Sequence, residues 1–137
     1  MSATSAATAT KILVAEDDLE IADMLRMTLS SAGYAVSLVH DGEEALRAAI
    51  ADPPELVILD VMMPQMNGWE VCRALRARPE FADVGILMLT AIGPNLNEMT
   101  APLYGADDHL DKPFVISELL ARLEALSAAI AERDGNA

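Results

Sequence analysis

The most constraining feature of this sequence is a series of short apolar runs, each of which stops at an acidic or hydroxyl-bearing residue. Three of these runs, with their closing residues, are 12–15 with Glu16, 56–59 with Asp60 and 84–89 with Thr90. The runs are rich in Ile, Leu and Val and do not alternate with polar residues, which is typical of strands covered on both faces. Strands of this kind belong to parallel sheets with helices on either side.

Segments with helical spacing of apolar residues separate these runs. Helices are predicted near residues 19–32, 43–52, 71–75, 95–103 and 116–131, and residues 35–39 and 109–111 complete the set of strands. Gly33 and Pro53 supply helix ends. Five strand–helix units joined by right-handed crossovers predict an α/β, doubly wound, three-layer fold with a five-stranded parallel sheet and five helices.

The length of 137 residues predicts one domain. We expect the domain to span residues 11–131, between a disordered N-terminal tail (1–10) and a short C-terminal tail (132–137). A net charge of −13 argues against nucleic acid and anionic membranes as partners, and no apolar run approaches the ~20 residues that a membrane span requires. The single cysteine, Cys72, suits a reducing cytosol, so a cytoplasmic location is predicted.

The chemistry of the chain is predicted to lie where the strands end. In an open parallel sheet, ligands bind beyond the carboxyl ends of the strands. Glu16 and Asp17 follow the first strand, Asp60 ends the third, Thr90 ends the fourth and Lys112 follows the fifth. The fold would therefore gather three carboxylates, one hydroxyl and one ammonium at one edge.

Such a cluster has a specific physical consequence. Two carboxylates about 5 Å apart repel each other by roughly 3 kcal/mol at an effective dielectric constant near 20, so a cation is needed among them. Oxygen ligands without His or Cys favour Mg²⁺ over Zn²⁺ or copper. A dication, a lysine and a hydroxyl around a carboxylate are the parts of a phosphoryl-transfer site. Asp60, at the end of the central strand, is the best candidate nucleophile.

These residues occur in motifs that resemble a known family, the receiver (phosphoacceptor) domain of bacterial two-component response regulators. Four sets of motifs occur in this order: ILVAEDD (12–18); LDVMMP (59–64) with NG (67–68); LTA (89–91); and GADD (105–108) running into DKPF (111–114). Each motif alone is weak, but four sets in the family's order and spacing are specific. The resemblance implies a flavodoxin-like sheet with strand order 2-1-3-4-5, and the short chain suggests a stand-alone receiver.

The resemblance also implies a role for each residue at the edge. Asp60 would accept a phosphoryl group from the phosphohistidine of a sensor histidine kinase or a histidine phosphotransfer protein. Four groups would hold Mg²⁺, with Glu16 acting mainly through water: Glu16, Asp17, Asp60 and the backbone carbonyl of Met62. Three groups would each contact one phosphoryl oxygen: Thr90, the Ala91 amide and Lys112. The Lys112–Pro113 peptide bond would be cis.

Three positions depart from the family's usual residues. His109 stands where the family places Tyr or Phe, and we expect it to act with Thr90 as the switch and to add pH dependence. Met62 and Ile92 occupy the two positions that tune dephosphorylation. Both are apolar and cannot orient an attacking water, which predicts a slowly hydrolysing acyl phosphate. Pro102 predicts that the helix near 95–103 is short or mobile.

The function expected from the sequence is a signalling switch, not an enzyme acting on a separate substrate, with output through contacts with an unidentified protein target. Alternatives are a receiver fragment of a larger response regulator or hybrid kinase, and an adaptor that works without phosphorylation. A homodimer is also compatible with the sequence. An aspartyl phosphatase is disfavoured because Met62 replaces the second acid that such enzymes need, and a flavodoxin-type electron carrier because acidic residues 16–18 would repel a cofactor phosphate.

Overall fold

The computed structural model describes residues 9–90 and 105–135, and the side chains within that part as far as residue 132. Strands and helices alternate along the chain, as the apolar pattern predicted. In chain order the elements are β1 (Lys11–Ala15), α1 (Leu19–Ser31), β2 (Ala35–Val39), α2 (Gly42–Ala51), β3 (Leu56–Asp60), α3 (Gly68–Arg76), a 3₁₀ turn (Pro79–Phe81), β4 (Gly85–Thr90), β5 (Asp108–Asp111) and α4 (Ile116–Gly135).

The five strands form one parallel sheet in the order β2-β1-β3-β4-β5, which confirms the predicted fold class and strand order. The register brings the strand ends level. Ala15 lies opposite Leu59, Asp60 opposite Leu89, and Thr90 opposite Asp111. The residues that close the strands therefore meet at one edge of the sheet.

The core has two halves, one on each face of the sheet, because successive strand residues point to opposite sides. Leu13, Val57 and Leu59 pack with α2 and α3 on one face. Ile12, Val14, Leu56 and Ile58 pack with α1 and α4 on the other face. All five residues of β3 are buried, and each large apolar side chain among them contributes roughly 1.5–3 kcal/mol through its burial. The strand that presents Asp60 is therefore fully enclosed, as is its neighbour β4.

Side-chain caps fix where three of the helices begin. Asp18 caps α1, Asp41 caps α2 and Asn67 caps α3, each by accepting a hydrogen bond from a backbone N–H of the first turn. Gly33, with φ of 101°, follows the end of α1 in the left-handed conformation that glycine adopts without strain. The caps fix the first residue of each helix; the loops after β1 (16–18) and β2 (40–41) are short, and the loop after β3 (61–67) is longer.

The predicted helix near 95–103, with Pro102, and the site residues Ala91 and Ile92 lie outside the described residues, in which four α-helices are present. The last helix runs to Gly135 instead of ending at Ala131, because Glu132 and Arg133 are good helix formers and continue it until the glycine. Within residues 9–90 and 105–135, no helix combines the length and the hydropathy needed to cross a bilayer.

Candidate functional site

A pocket of about 350 Å³ lies at the carboxyl edge of the sheet. Six residues line it: Glu16, Asp17, Asp18, Asp60, Met62 and Lys112. They come from the ends of β1, β3 and β5 and from the loops that follow. The structure thus brings together the acidic residues and the lysine that the sequence predicted to meet, in spite of their separation along the chain.

Three carboxylates crowd this pocket. One oxygen each from Glu16, Asp17 and Asp60 lies within 4.8 Å of the others. Glu16 has no exposed surface and Asp60 is 3% exposed, whereas Asp17 is open to solvent. The donors are all oxygens, which is the ligand set that Mg²⁺ takes in proteins. The residues present therefore fit a bound magnesium ion, with Asp17 on the solvent side.

Lys112 supplies the positive charge that the two buried acids face. Its Nζ lies 2.9 Å from Glu16 Oε1 and 3.3 Å from Asp60 Oδ2. Burial lowers the pKa of the Lys112 ammonium, but the hydrogen bond to Glu16 and the charges of both acids outweigh burial, so the pKa is raised. The Lys112 N–H donates to the Thr90 carbonyl at 2.7 Å, and the Lys112–Pro113 peptide bond is cis, as the resemblance implied.

One ammonium does not neutralise two buried carboxylates. Burial, followed by the hydrogen bond with Glu16 and its charge, raises the pKa of Asp60 to about 7, and Lys112 opposes this increase. At neutral pH a proton therefore competes for the oxygens of Asp60. A divalent cation in the pocket would displace that proton and leave the carboxylate ionised, as a nucleophile must be.

The three consecutive acids after β1 have different roles. Glu16 points inward and accepts hydrogen bonds from Lys112 and, at 3.1 Å, from the Asp18 N–H. The Asp18 carboxylate accepts from the Glu20 and Ile21 N–H groups at the start of α1. Asp18 is thus engaged in capping, and Asp17 alone of the three adds an exposed carboxylate to the cluster with Glu16 and Asp60. The sequence could not assign these roles, because any of the three acids could cap a helix.

Met62 lies at the mouth of the pocket. Its side chain is 67% exposed, and its N–H donates to Asp60 Oδ1 at 3.3 Å. The loop from Val61 to Asn67 begins with a hydrogen bond from the Val61 N–H to the Leu89 carbonyl and closes with one from the Gly68 N–H to the Val61 carbonyl. This loop therefore follows the end of β3 closely and keeps the Met62 backbone beside the candidate nucleophile.

The two predicted switch residues occupy neighbouring strands. Thr90 is completely buried at the end of β4. His109 is half-buried in β5, opposite Met88. The His109 carbonyl accepts a hydrogen bond from Arg122, which also pairs with Asp108 at 2.7 Å. Arg122 thereby connects α4 to β5 at His109 and at the residue before it.

Two sets of polar contacts were not predicted, one beside Glu16 of the site and one away from the site. His40 Nδ1 lies 3.1 Å from the Glu16 carbonyl oxygen, and because a carbonyl only accepts, Nδ1 carries the hydrogen. Arg76 donates to the carbonyls of Gly105 and Phe81 and to the Asp107 carboxylate, each at 2.8 Å. Neither side chain belongs to a motif, so spacing gave no signal for these contacts.

Comparison with known proteins agrees with this geometry. The family model of the response regulator receiver domain matches residues 12–124. The chain is 50% identical to the response regulator MprA of Mycobacterium ulcerans (strain Agy99) over 117 residues, which cover 85% of this chain and 49% of MprA.

Solved structures show the same similarity. Vibrio cholerae chemotaxis protein CheY4 superposes with a TM-score of 0.82 at 34% identity, covering 87% of this chain and 99% of CheY4. The receiver domain of the sensor histidine kinase PA1611 from Pseudomonas aeruginosa PAO1 was solved with a magnesium ion coordinated in its active site cleft. It matches with a TM-score of 0.78 at 30% identity, covering 90% of this chain and 99% of that domain.

The chain spans about half the length of the curated MprA relatives that it matches. The family model covers most of the chain, from β1 into α4. The sheet order, the acidic pocket and the matched region all lead to one assignment. The chain belongs to the response regulator receiver domain family, whose members act in two-component signalling.

Proposed function

We propose that this domain is a phosphorylation-controlled switch that accepts a phosphoryl group on Asp60. The observation that supports this most strongly is the position of the Asp60 carboxylate, which is 3% exposed, 3.3 Å from the Lys112 ammonium and part of a cluster of three acids. A carboxylate that served only as a surface charge would gain nothing from this enclosure. The arrangement suits a group that reacts.

The proposed step transfers the phosphoryl group from the phosphohistidine of a histidine kinase or a phosphotransfer protein. An Asp60 oxygen attacks phosphorus and forms an O–P bond while the N–P bond of the donor breaks. The electron pair of that bond passes to the imidazole nitrogen, which takes a proton from solvent. The product on this chain is an acyl phosphate at Asp60.

Glu16, Asp17, Asp60 and the Met62 backbone carbonyl would hold Mg²⁺, with Glu16 contributing mainly through water. Bound magnesium neutralises charge on carboxylate and phosphoryl oxygens. The PA1611 receiver domain, which carries magnesium in its active site cleft, supports magnesium binding here by similarity. Lys112 already bridges Glu16 and Asp60 and would contact one phosphoryl oxygen once the acyl phosphate forms.

We propose that Thr90 and the Ala91 amide bind the other two phosphoryl oxygens and that Thr90 and His109 then change conformation together. The affected surface would include β5 and α4, through which the domain contacts its protein target or a second copy. The apolar side chains of Met62 and Ile92 would slow hydrolysis of the acyl phosphate by not orienting water.

The rim of the pocket is suited to a protein donor. Three large apolar side chains are mostly exposed: Leu19 (68%), Met62 (67%) and Val115 (63%). Met62 lines the pocket, Leu19 follows the acidic residues 16–18 in the chain, and Val115 lies three residues after Lys112. A docking protein that covered these three apolar side chains would also exclude water from the reaction. We further propose a cytoplasmic location, because a reducing compartment suits a chain whose single cysteine is Cys72.

The same chemistry would operate if the domain is the receiver part of a longer regulator or a hybrid kinase, and the length of the MprA relatives is compatible with that alternative. The domain itself would carry out only self-phosphorylation from a phosphodonor and slow hydrolysis of the product. In an adaptor that works without phosphorylation, by contrast, partner binding would not depend on Asp60.

The test is incubation of the protein with acetyl phosphate, with and without Mg²⁺, read by intact mass. We expect one added phosphoryl group in the wild-type protein with Mg²⁺, and none in Asp60→Asn or in the presence of a chelator. Asp18→Asn is the matched control, because asparagine also caps helices. An adduct of equal yield in Asp60→Asn, or no adduct in any sample, would reject the proposal.

A further inference from the structure

The first residue of α2, Gly42, is in close contact with the loop that follows β3. A methyl group added at Gly42 would overlap the Met66 carbonyl oxygen and would lie 2.6 Å from both the carbonyl carbon and Cβ of Met66. Real Cβ atoms do not approach backbone this closely, so any larger residue at position 42 must displace the loop. Position 42 is followed at once by the acidic first turn of α2, and its own backbone is not left-handed.

The other end of the same loop is fixed in the same way. A methyl group at Gly68, the first residue of α3, would overlap the Asp60 carbonyl oxygen and lie 2.8 Å from Met88 Cε. Two glycines on two different helices thus hold the 61–67 loop at both of its ends. One contact is to the peptide of Asp60 itself, and the other is to Met66, next to the capping residue of α3.

Helix propensity does not explain the glycine at position 42. Glycine is among the poorest helix formers, and alanine would favour the helix. Gly42 needs no positive φ, unlike Gly33 and Gly105. The structural reason for a glycine at position 42 is therefore the close approach of the Met66 backbone. The same contact determines the distance between the 61–67 loop and α2.

We infer that Gly42 is a positioning residue for the phosphoacceptor site. Because Gly42 has no side chain, the Met66 backbone can pack against α2, and this packing holds Met62 and Asp60 in the arrangement that binds Mg²⁺. The inference rests on the proposed function, because Asp60 and the Met62 carbonyl are its proposed ligands. It assigns a role in metal binding to a residue that does not line the acidic pocket. The site would then depend on α2 as well as on the strand ends.

The experiment compares Gly42→Ala with two control variants by calorimetric titration of Mg²⁺ into the full chain and by thermal melting. Gly33→Ala introduces strain at a positive φ with no atom within 4 Å. Gly85→Ala crowds Leu56 and Ile130 at the opposite end of β4. Both controls lower the melting temperature without touching the 61–67 loop.

We expect Gly42→Ala to weaken Mg²⁺ binding by about tenfold or more, the effect typical of groups that position metal ligands. The two controls should leave the Mg²⁺ affinity within about twofold of wild type while they melt at lower temperature. Unchanged affinity in a folded Gly42→Ala protein would overturn the inference. Equal losses in all three variants would overturn it as well, because the effect would then come from general destabilisation.

If Gly42→Ala does not fold, the same substitution is combined with Asp60→Asn, which we expect to stabilise the fold by removing a buried charge. The amide resonances of Met62 and Gly68 are then followed without metal. They should shift further than in the matching Gly85→Ala double variant, and equal shifts would contradict the inference. A wild-type protein that binds no Mg²⁺ would instead reject the proposed function itself.

Discussion

The Lys112 ammonium lies 2.9 Å from an oxygen of Glu16, a carboxylate with no exposed surface. Glu16 follows β1 and Lys112 follows β5, so the ion pair spans the sheet. Water cannot reach Glu16 to stabilise its charge, and Asp60 adds a second buried acid 3.3 Å from the same ammonium. Both the fold and the chemistry of the pocket therefore depend on this one lysine.

Replacing Lys112 by methionine should destabilise the protein strongly at neutral pH. The substitution keeps the length of the side chain but leaves Glu16 and Asp60 without their counter-charge, and breaking a buried ion pair typically costs about 3–5 kcal/mol. Because Lys112 is 20% exposed, we expect about 2–4 kcal/mol by urea denaturation.

The matched control is Lys11→Met, which removes an ion pair with Asp52 in which both side chains are more than half exposed. Its free energy of unfolding should be close to that of the wild type. Equal losses in the two variants would show that burial of Glu16 does not matter.

The metal-free protein should become less stable as the pH rises from about 4 to 7. The pKa of Asp60 is about 7 in the folded chain, against 3.8 for an ordinary aspartate. Within that window the folded state holds a proton that the unfolded state has released, so raising the pH favours unfolding. The stabilisation that Asp60 contributes is complete below the unfolded pKa of 3.8 and is lost as the pH rises through the folded pKa of about 7.

Asp60→Asn should remove this dependence and should be more stable than the wild type by roughly 2–4 kcal/mol at about pH 8, but by much less at about pH 5. Urea denaturation of both proteins in a chelator measures the difference. A stability advantage of Asp60→Asn that is the same at both pH values would contradict the raised pKa.

Mg²⁺ should raise the melting temperature of the wild-type protein, because a ligand that binds only the folded state stabilises it by about 2.7 kcal/mol at a hundredfold excess over the dissociation constant. Asp17→Asn should lose most of this increase, since Asp17 belongs to the three-acid cluster.

The neighbouring change Asp18→Asn should keep most of the increase, because its carboxylate caps α1 and asparagine caps equally well. Differential scanning fluorimetry with and without magnesium compares the two variants. A larger loss in Asp18→Asn than in Asp17→Asn would reverse the assignment of these two acids.

The sequence predicted the sheet and its edge well because both follow from local patterns. Runs such as 56–59 are apolar at every position, and the residue that closes each run must lie at the carboxyl edge once the strands are parallel. The meeting of Glu16, Asp60 and Lys112 followed from that rule without any knowledge of their contacts. The strand order came from the family resemblance, and the structure confirms it.

What the sequence could not predict depends on atoms that meet in three dimensions. The different roles of Asp17 and Asp18 depend on which carboxylate turns toward the first turn of α1. The contact of Gly42 with Met66 joins the start of α2 to the loop that follows β3, and no motif contains both residues. The last helix continued to Gly135 because the residues near its end are polar but still favour a helix, so a fading apolar pattern did not mark its end.

Arg76 should be a major contributor to stability outside the site. Its guanidinium donates hydrogen bonds to the Asp107 carboxylate and to three backbone carbonyls, those of Gly105, Phe81 and Ala82. The Asp107 carboxylate also accepts a hydrogen bond from the Ile86 N–H. Arg76→Met would leave these acceptors without their donor, and we expect a loss of about 2–3 kcal/mol in urea denaturation.

Mg²⁺ affinity should not change in Arg76→Met, because Arg76 does not line the acidic pocket. Arg78→Met, which breaks only an exposed pair with Glu80, is the control and should behave like the wild type. A loss of Mg²⁺ binding in a folded Arg76→Met protein would link this contact to the site.

The most direct test of the central claim is to locate the phosphoryl group. The protein is phosphorylated with acetyl phosphate and Mg²⁺, the acyl phosphate is reduced with borohydride, and the peptides are sequenced by mass spectrometry. Reduction converts a phosphorylated aspartate into homoserine. We predict homoserine at position 60 alone. Its yield should depend on Mg²⁺ and should be much lower in Lys112→Met. Homoserine at position 17 or 18, or none at position 60, would contradict the account.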